Sequence, residues 1–382
     1  MIRLLSVVGA RPNFMKVAPI VEELKKLPTI QHFLVHSGQH YDESLSGSFF
    51  TDLGLPVPDV NLDVGSGSHA TQTAEVMKRI EPVLLDYQPQ MVLVVGDVNS
   101  TLATALTAVK LGIPIAHVEA GLRSFDSSMP EEINRKLTDA VSDLLFVTER
   151  SGVENLKHEG VPAEKIFLVG NVMIDSLLRH REQAEKSTIH ERLGVRESQS
   201  SVRPYGVLTL HRPSNVDDPK TLGGILRAVK AVAAALPIFF PLHPRTRKNI
   251  ESFGLREYLA EEGEPSVAGI VPLAPLGYLD FLALNNRARI VLTDSGGVQE
   301  ETTVLGVPCL TLRENTERPA TVEHGSNQIV GTHPDRILEA ARSILRRPMG
   351  PFQCPPLWDG GTAKRIVTVL LQHLQLTTVA GD

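Results

Sequence analysis

Cysteine is scarce in this chain of 382 residues: there are two, Cys309 and Cys354. Two thiols build no disulfide framework, and such usage fits a reducing cytosol, so a cytoplasmic location is expected. Long apolar runs are missing. No stretch approaches the roughly 18 apolar residues of a membrane span, and Ile2 to Val8 is too short for a signal-peptide core. No membrane partner is expected. Positive charge is not in excess: 38 Lys and Arg face 44 Asp and Glu, a net charge of −6. That balance argues against a nucleic-acid partner. Neither a G-x-G-x-x-G fingerprint nor a Tyr-x-x-x-Lys pair occurs, which disfavours an NAD-dependent sugar epimerase. His36 and His40 have a spacing that could hold a metal, but Gly38 interrupts them and no carboxylate or cysteine completes a set. Neither a metal nor a cofactor is expected.

What is present is an alternation of strands and helices, in a chain of globular composition with 42% hydrophobic and 21% charged residues. Ile2 to Val8, Phe33 to Val35, Met91 to Val95, Ile113 to Val118, Leu144 to Val147 and Ile166 to Val169 are apolar runs of the kind buried parallel strands require. Helices are expected from His69 to Tyr87, from Ser100 to Gly112, and from Pro130 onward. A domain boundary is expected close to Gly170, before a polar, helix-prone segment. A second series starts at Tyr205 to Leu210. It continues through Pro237 to Leu242, Ile270-Val271, a helix around Phe281, Ile290 to Leu292 and Val307 to Leu312, and the last helix runs from about Thr362 to Leu376. The pattern is α/β, with two Rossmann-like domains. If their carboxyl faces oppose each other, the site is the cleft between them.

The candidates gather around Thr293-Asp294-Ser295-Gly296-Gly297-Val298-Gln299-Glu300-Glu301, which reads as strand, tight turn and helix. Adjacent glycines let a backbone come close to a ligand. Free amides in the first helical turn suit a phosphate at Ser295, Gly296 and Gly297. Glu301, one turn past Gly297, could accept two hydroxyls of a ribose. Taken alone, the stretch reads equally well as a plain turn. Arg11 and Lys16 follow the first strand, where open α/β sheets bind ligands, and suggest an anion. Lys16 by itself reads as a surface lysine. Asp97 and Glu119 end successive strands and should face one crevice. Of Glu131 and Glu132, in the first turn after Pro130, one reads as compensation of the helix dipole. His211 and His243 end strands of the second series. Together these groups suggest a nucleotide-diphosphate ligand with acid–base chemistry beside it.

The motifs are Gly9-Ala10-Arg11-Pro12 with Lys16, Gly96-Asp97, His117-Val118-Glu119-Ala120-Gly121-Leu122-Arg123, Pro130-Glu131-Glu132 with Asn134-Arg135, Gly170-Asn171, Leu292 to Glu301, and Thr316-Glu317-Arg318-Pro319. In this order, over essentially the whole chain, they resemble the non-hydrolysing UDP-N-acetylglucosamine 2-epimerases. The resemblance implies a glycosyltransferase-B architecture. An N-terminal Rossmann-like domain would cover 1–171, with the C-terminal helix 366–382 returning to it, and a UDP-binding domain would cover 172–365. It implies interconversion of UDP-GlcNAc and UDP-ManNAc through loss of UDP, a 2-acetamidoglucal intermediate and re-addition of UDP. Asp97, Glu119 and Glu131 would do the acid–base work at C2, and His211 would assist departure of the diphosphate. Arg11, Lys16, Arg135, His243, Ser295, Gly296, Gly297 and Arg318 would bind the substrate, Glu301 the ribose and Phe281 the uracil. A homodimer is implied as well.

Parts of the family pattern are altered. Gln39-His40 matches one part of the second, regulatory UDP-GlcNAc site of some members, while Glu75 falls near where those members carry an arginine. His211-Arg212-Pro213-Ser214-Asn215 replaces His-Arg-x-Glu-Asn, and His243-Pro244-Arg245 replaces a His-x-Asn-Pro type. Arg212 and Arg245 could meet a sugar carboxylate, which keeps UDP-2,3-diacetamido-glucuronic acid open as substrate. A glycosyltransferase of the same architecture is a further reading. Thr293 and Cys309, each eight positions from Glu301, break the paired-glutamate pattern of many such enzymes. A non-catalytic nucleotide-sugar sensor would not need three acids around the sugar.

Overall fold

The computed structural model describes residues 1–9, 11–38, 54, 57–198, 201–261, 268–348, 350 and 352–379, with the backbone alone at 11 and 375–379. The chain forms two compact units, Met1–Arg179 with Pro356–Asp382, and His180–Pro355.

The first unit is built on strands β1 (Ile2–Val8), β2 (Ile30–His36), β3 (Val60–Asn61), β4 (Met91–Val95), β5 (Ile115–Ala120), β6 (Leu144–Val147) and β7 (Ile166–Leu168). They form one sheet in the order β3-β2-β1-β4-β5-β6-β7, and every pairing is parallel. β4, β5 and β6 are buried at every position, as strands covered by helices on both faces must be. The strand order reverses between β1 and β4. Open α/β sheets bind ligands outside the carboxyl ends of the strands at such a switch point. The helix Thr362–Val379 packs on the helix Arg11–Lys25 of the same unit. The Asp175 carboxylate accepts the amides of Thr362 and Ala363 at 3.2 and 2.7 Å and caps that last helix. The Trp358 indole donates to the Thr148 carbonyl at 3.1 Å.

The second unit carries β8 (Gly206–Thr209), β9 (Ile238–Pro241), β10 (Ile270–Leu273), β11 (Ile290–Thr293), β12 (Cys309–Thr311) and β13 (Asn327–Ile329). They are parallel in the order β10-β9-β8-β11-β12-β13, so the switch point lies between β8 and β11. Its core gathers Leu208, Ile225, Phe240, Ile250, Ile290, Leu310 and Ile337. The long apolar strands and the helix His69–Tyr87 lie where the sequence puts them. β3, β13 and the helix Pro334–Arg346 do not appear in the sequence reading. β3 and β13 are edge strands of two and three residues, too short to show a period.

Candidate functional site

The switch point of the first unit collects charge. The helix Arg11–Lys25 begins just after β1 and carries Asn13 and Lys16. Lys16 is buried, not a surface lysine, and its ammonium pairs with the buried Glu119 carboxylate. Glu119 lies at the end of β5, where the pairing with β6 shifts register. Its φ of 75° is in the left-handed region that a non-glycine residue seldom occupies. Gly96, after β4, has φ 70°. A Cβ there would sit 3.1 Å from Lys16 Nζ, 3.2 Å from Asn13 Nδ2 and 3.4 Å from Glu119 Oε2. Glycine is what allows β4 to end against this pair.

Asp97 follows. Its carboxylate accepts from Arg135 Nη1 at 3.2 Å, and its carbonyl accepts from Asn134 Nδ2 at 2.9 Å. Both partners ride on the helix Pro130–Val141, which proline opens. The two acids of its first turn separate in role. Glu132 is buried and takes the amide and hydroxyl of Ser124 and the amide of Phe125 at 2.9, 3.0 and 3.2 Å. Glu131 stays half-buried. Arg11 opens its helix, but its side chain is outside the description, as are Ala10 and Gln39-His40. Among the described residues, no group of three or more His, Cys, Asp or Glu is placed to hold a metal ion.

The switch point of the second unit is assembled on Asp294, which directly follows β11 and is completely buried. It accepts the amides of His211 and Arg212 at 3.0 Å each, Nδ1 of His211 at 2.8 Å and Nδ2 of Asn215 at 3.3 Å. Burial pushes this carboxyl up. The hydrogen bonds and charge of His211 and the two amides outweigh it and leave Asp294 below the usual range. The His211 ring is thus fixed by one nitrogen, which leaves Nε2 as its second polar atom. The His243 ring lies 6.0 Å away, centroid to centroid.

Ser295 is the N-cap of the helix Gly296–Leu305 and makes no side-chain capping bond. The hydroxyls of Thr209 and Thr293 join β8 and β11 at 2.6 Å, and Thr293 accepts the Ser295 amide at 3.0 Å. A Cβ on Gly296 would come within 2.8 Å of Glu317 Oε1. Glu317 is buried among cations: Arg313 at 2.8 Å and Arg212 at 3.3 Å. Burial raises it, but Arg313, Arg318 and Arg212 together hold it well below the usual carboxylate range. Arg318 is also buried, with its Nε 2.6 Å from Glu300 Oε1. Glu301 is buried within the helix, and Phe281 is half-buried on the helix Tyr278–Asn286. Burial, and then the charge of Glu301, push the Tyr278 hydroxyl well above its ordinary value.

Each switch point therefore gathers the candidates of its own unit: Lys16, Asp97, Glu119 and Arg135 in one, His211, His243, Ser295, Gly296 and Gly297 in the other. The buried polar groups that hold them, among them His117, Asp139, Asp294 and Glu317, were not singled out from the sequence as site residues. The signal was slight: His117, Asp294 and Glu317 stand inside motifs that carry a more obvious candidate, and Asp139 lies beyond them on the helix of Arg135.

The chain is similar to known proteins over nearly its whole length. The sequence profile of UDP-N-acetylglucosamine 2-epimerase matches residues 22–371. The UDP-N-acetylglucosamine 2-epimerase of Methanocaldococcus jannaschii is 42% identical over 95% of this chain and 97% of its own length. The crystal structure of that organism's enzyme with UDP-GlcNAc and UDP covers 97% of this chain and 100% of its own, with a TM-score of 0.88. The UDP-2,3-diacetamido-2,3-dideoxy-D-glucuronate 2-epimerase of Pseudomonas aeruginosa is 41% identical over 97% of this chain and 100% of its own length. The chain belongs to the UDP-N-acetylglucosamine 2-epimerase family.

Proposed function

We propose that this protein interconverts UDP-N-acetylglucosamine and UDP-N-acetylmannosamine. The C2 proton has no adjacent carbonyl to acidify it, so direct abstraction is unfavourable. Elimination avoids the problem. The C1–O bond to UDP breaks as a carboxylate takes the C2 proton, which leaves a C1=C2 double bond in 2-acetamidoglucal. UDP then adds back to C1 while a proton is delivered to the opposite face of C2. In this reading Asp97, Glu119 and Glu131 are the acid–base set. Lys16 and Arg135 fix two of them, and each such group contributes roughly 10²–10⁴-fold. The amides of Ser295, Gly296 and Gly297, with Arg11, stabilise the diphosphate as leaving group and as returning nucleophile. His211, anchored by Asp294, turns its other nitrogen to the diphosphate. His243 and Arg318 belong to the same binding region, while Glu301 takes the ribose and Phe281 the uracil.

One observation carries the reading: the two switch points have opposite chemistry. One offers carboxylates, the other helix amides and a carboxylate-anchored histidine. Proton NMR of UDP-GlcNAc with the protein in D₂O tests it. The expected result is a second set of anomeric signals and deuterium at C2; retention of the C2 proton with no new signals overturns it. The Pseudomonas relative supports a second substrate, UDP-2,3-diacetamido-glucuronic acid, which the same measurement covers. Against it, Arg212 and Arg245 engage Glu317 and Asp217. A homodimer is part of the proposal. Ile133 and Leu137, exposed one turn apart on one helix, give it an apolar face, and light scattering reads the mass.

A further inference from the structure

Asp139 lies deep in the first unit and touches none of the groups assigned to the chemistry, yet it reaches the segments that carry them. It is on the helix Pro130–Val141, with Glu131, Asn134 and Arg135. Its Oδ1 accepts from His117 Nδ1 at 2.7 Å. Its Oδ2 accepts the Gly121 amide at 3.0 Å and lies 2.7 Å from Arg123 Nη2. The other nitrogen of His117 donates to the Gly96 carbonyl at 2.9 Å. Gly96 precedes Asp97, and Gly121 comes two positions after Glu119. One carboxylate is thus linked to the turn after β4, the end of β5 and the helix of Glu131. The three side chains are buried, with His117, Arg123 and Asp139 at 0%, 2% and 2% residue exposure. Burial raises the Asp139 carboxyl, but His117 and Arg123 outweigh it and keep it below the usual range.

We infer that Asp139 is a positioning residue, which acts through His117 and the Gly121 amide to set Asp97, Glu119 and Glu131 in register with one another. The geometry argues for relay to the site over mere core packing. His117 spends its second hydrogen bond on the carbonyl of Gly96, a glycine packed against the Lys16–Glu119 pair. Gly96 has left-handed φ and is hemmed in by Lys16, Asn13 and Glu119, so a small rotation of its peptide moves Asp97 on one side and the ion pair on the other. The inference rests on the epimerase reading above.

Three variants test it: Asp139→Asn, His117→Asn and His117→Gln. The asparagine amide stands where Nδ1 does and keeps Asp139 but not Gly96. The glutamine amide reaches the place of Nε2 and keeps Gly96. On protein shown to be folded by circular dichroism, Asp139→Asn and His117→Asn should lose about 10²-fold in kcat, the cost of an ångström-scale misplacement. KM should stay within about twofold, since binding is left intact. His117→Gln should recover about tenfold over His117→Asn, because the peptide that carries Asp97 is held again. Equal losses in the two His117 variants, unchanged kcat in folded His117→Asn, or loss of the fold in all three would overturn the inference. An inactive wild type would instead overturn the epimerase reading itself.

Discussion

The two switch points use one device with the charges exchanged. In the first unit the presented group is an acid and the support behind it is a cation: Asp97 has a side chain 28% exposed, and the Arg135 that holds it only 2%. In the second unit the presented group is a base or a cation and the support is an acid. His211 is 42% exposed over an Asp294 that is fully buried, and Arg212 lies over the buried Glu317. A buried charge without a partner is strongly unfavourable. Each unit pairs its buried charge with the group it presents, so burial also orients that group. The sign of the support sets the charge on offer: a carboxylate in one unit, a histidine and an arginine in the other.

The largest test of this contrast removes the charge from the acids of the first unit. Glu119→Gln, Asp97→Asn or Glu131→Gln should lower epimerisation by roughly 10²–10⁴-fold with the fold intact, as followed by proton NMR. Full activity in all three would end the acid–base assignment. Next, Asp294→Asn keeps the shape but not the charge behind His211. A fall of roughly 10–100-fold in kcat is expected, as for other groups that orient a reactive ligand. If Asp294 acts through His211, adding His211→Asn to Asp294→Asn should bring little more. Additive losses would separate the two. A smaller effect is expected from Gly296→Ala. The new Cβ would meet Glu317 Oε1 at 2.8 Å. Overpacking of about 1–3 kcal/mol should appear as weaker UDP binding, about tenfold by titration calorimetry. Unchanged affinity would show that the helix N-terminus does not grip the nucleotide.

The smallest effect concerns a base held neutral in the first unit. Burial lowers His32 from 6.5 to about 4, with Asp59 opposing and Lys25 assisting. Between those values the unfolded chain binds a proton that the folded one does not, so stability falls as pH drops from 6.5 towards 4. His32→Gln should reduce that dependence of Tm. An unchanged slope would assign the acid sensitivity to other groups.

The strands were legible because a parallel strand buried on both faces must be apolar along its length, and Met91–Val95 admits no other reading. The presented residues were legible because they end such strands. Their pairings with the groups behind them were not. Lys16 and Glu119 are 103 positions apart, Arg212 and Glu317 105, His117 and Asp139 22. A polar residue inside a helix looks alike in sequence whether it meets water or a buried counter-charge. Lys16 reads as a surface lysine for that reason, since only the fold brings Glu119 to it. The backbone of Glu119 was also illegible, because nothing in its neighbours announces a left-handed φ outside glycine.

One feature of the fold bears on how the molecule is made. The first unit takes in the chain before Arg179 and again after Pro356. Asp175 waits for the amides of Thr362 and Ala363, and the Thr148 carbonyl for the indole of Trp358. During synthesis the whole second unit leaves the ribosome before these partners arrive. Domains form as units in the order they emerge. The second unit can therefore be complete while the first, begun earlier, still lacks the helix that covers Arg11–Lys25. The segment that carries Lys16, buried against Glu119, is the last to be closed.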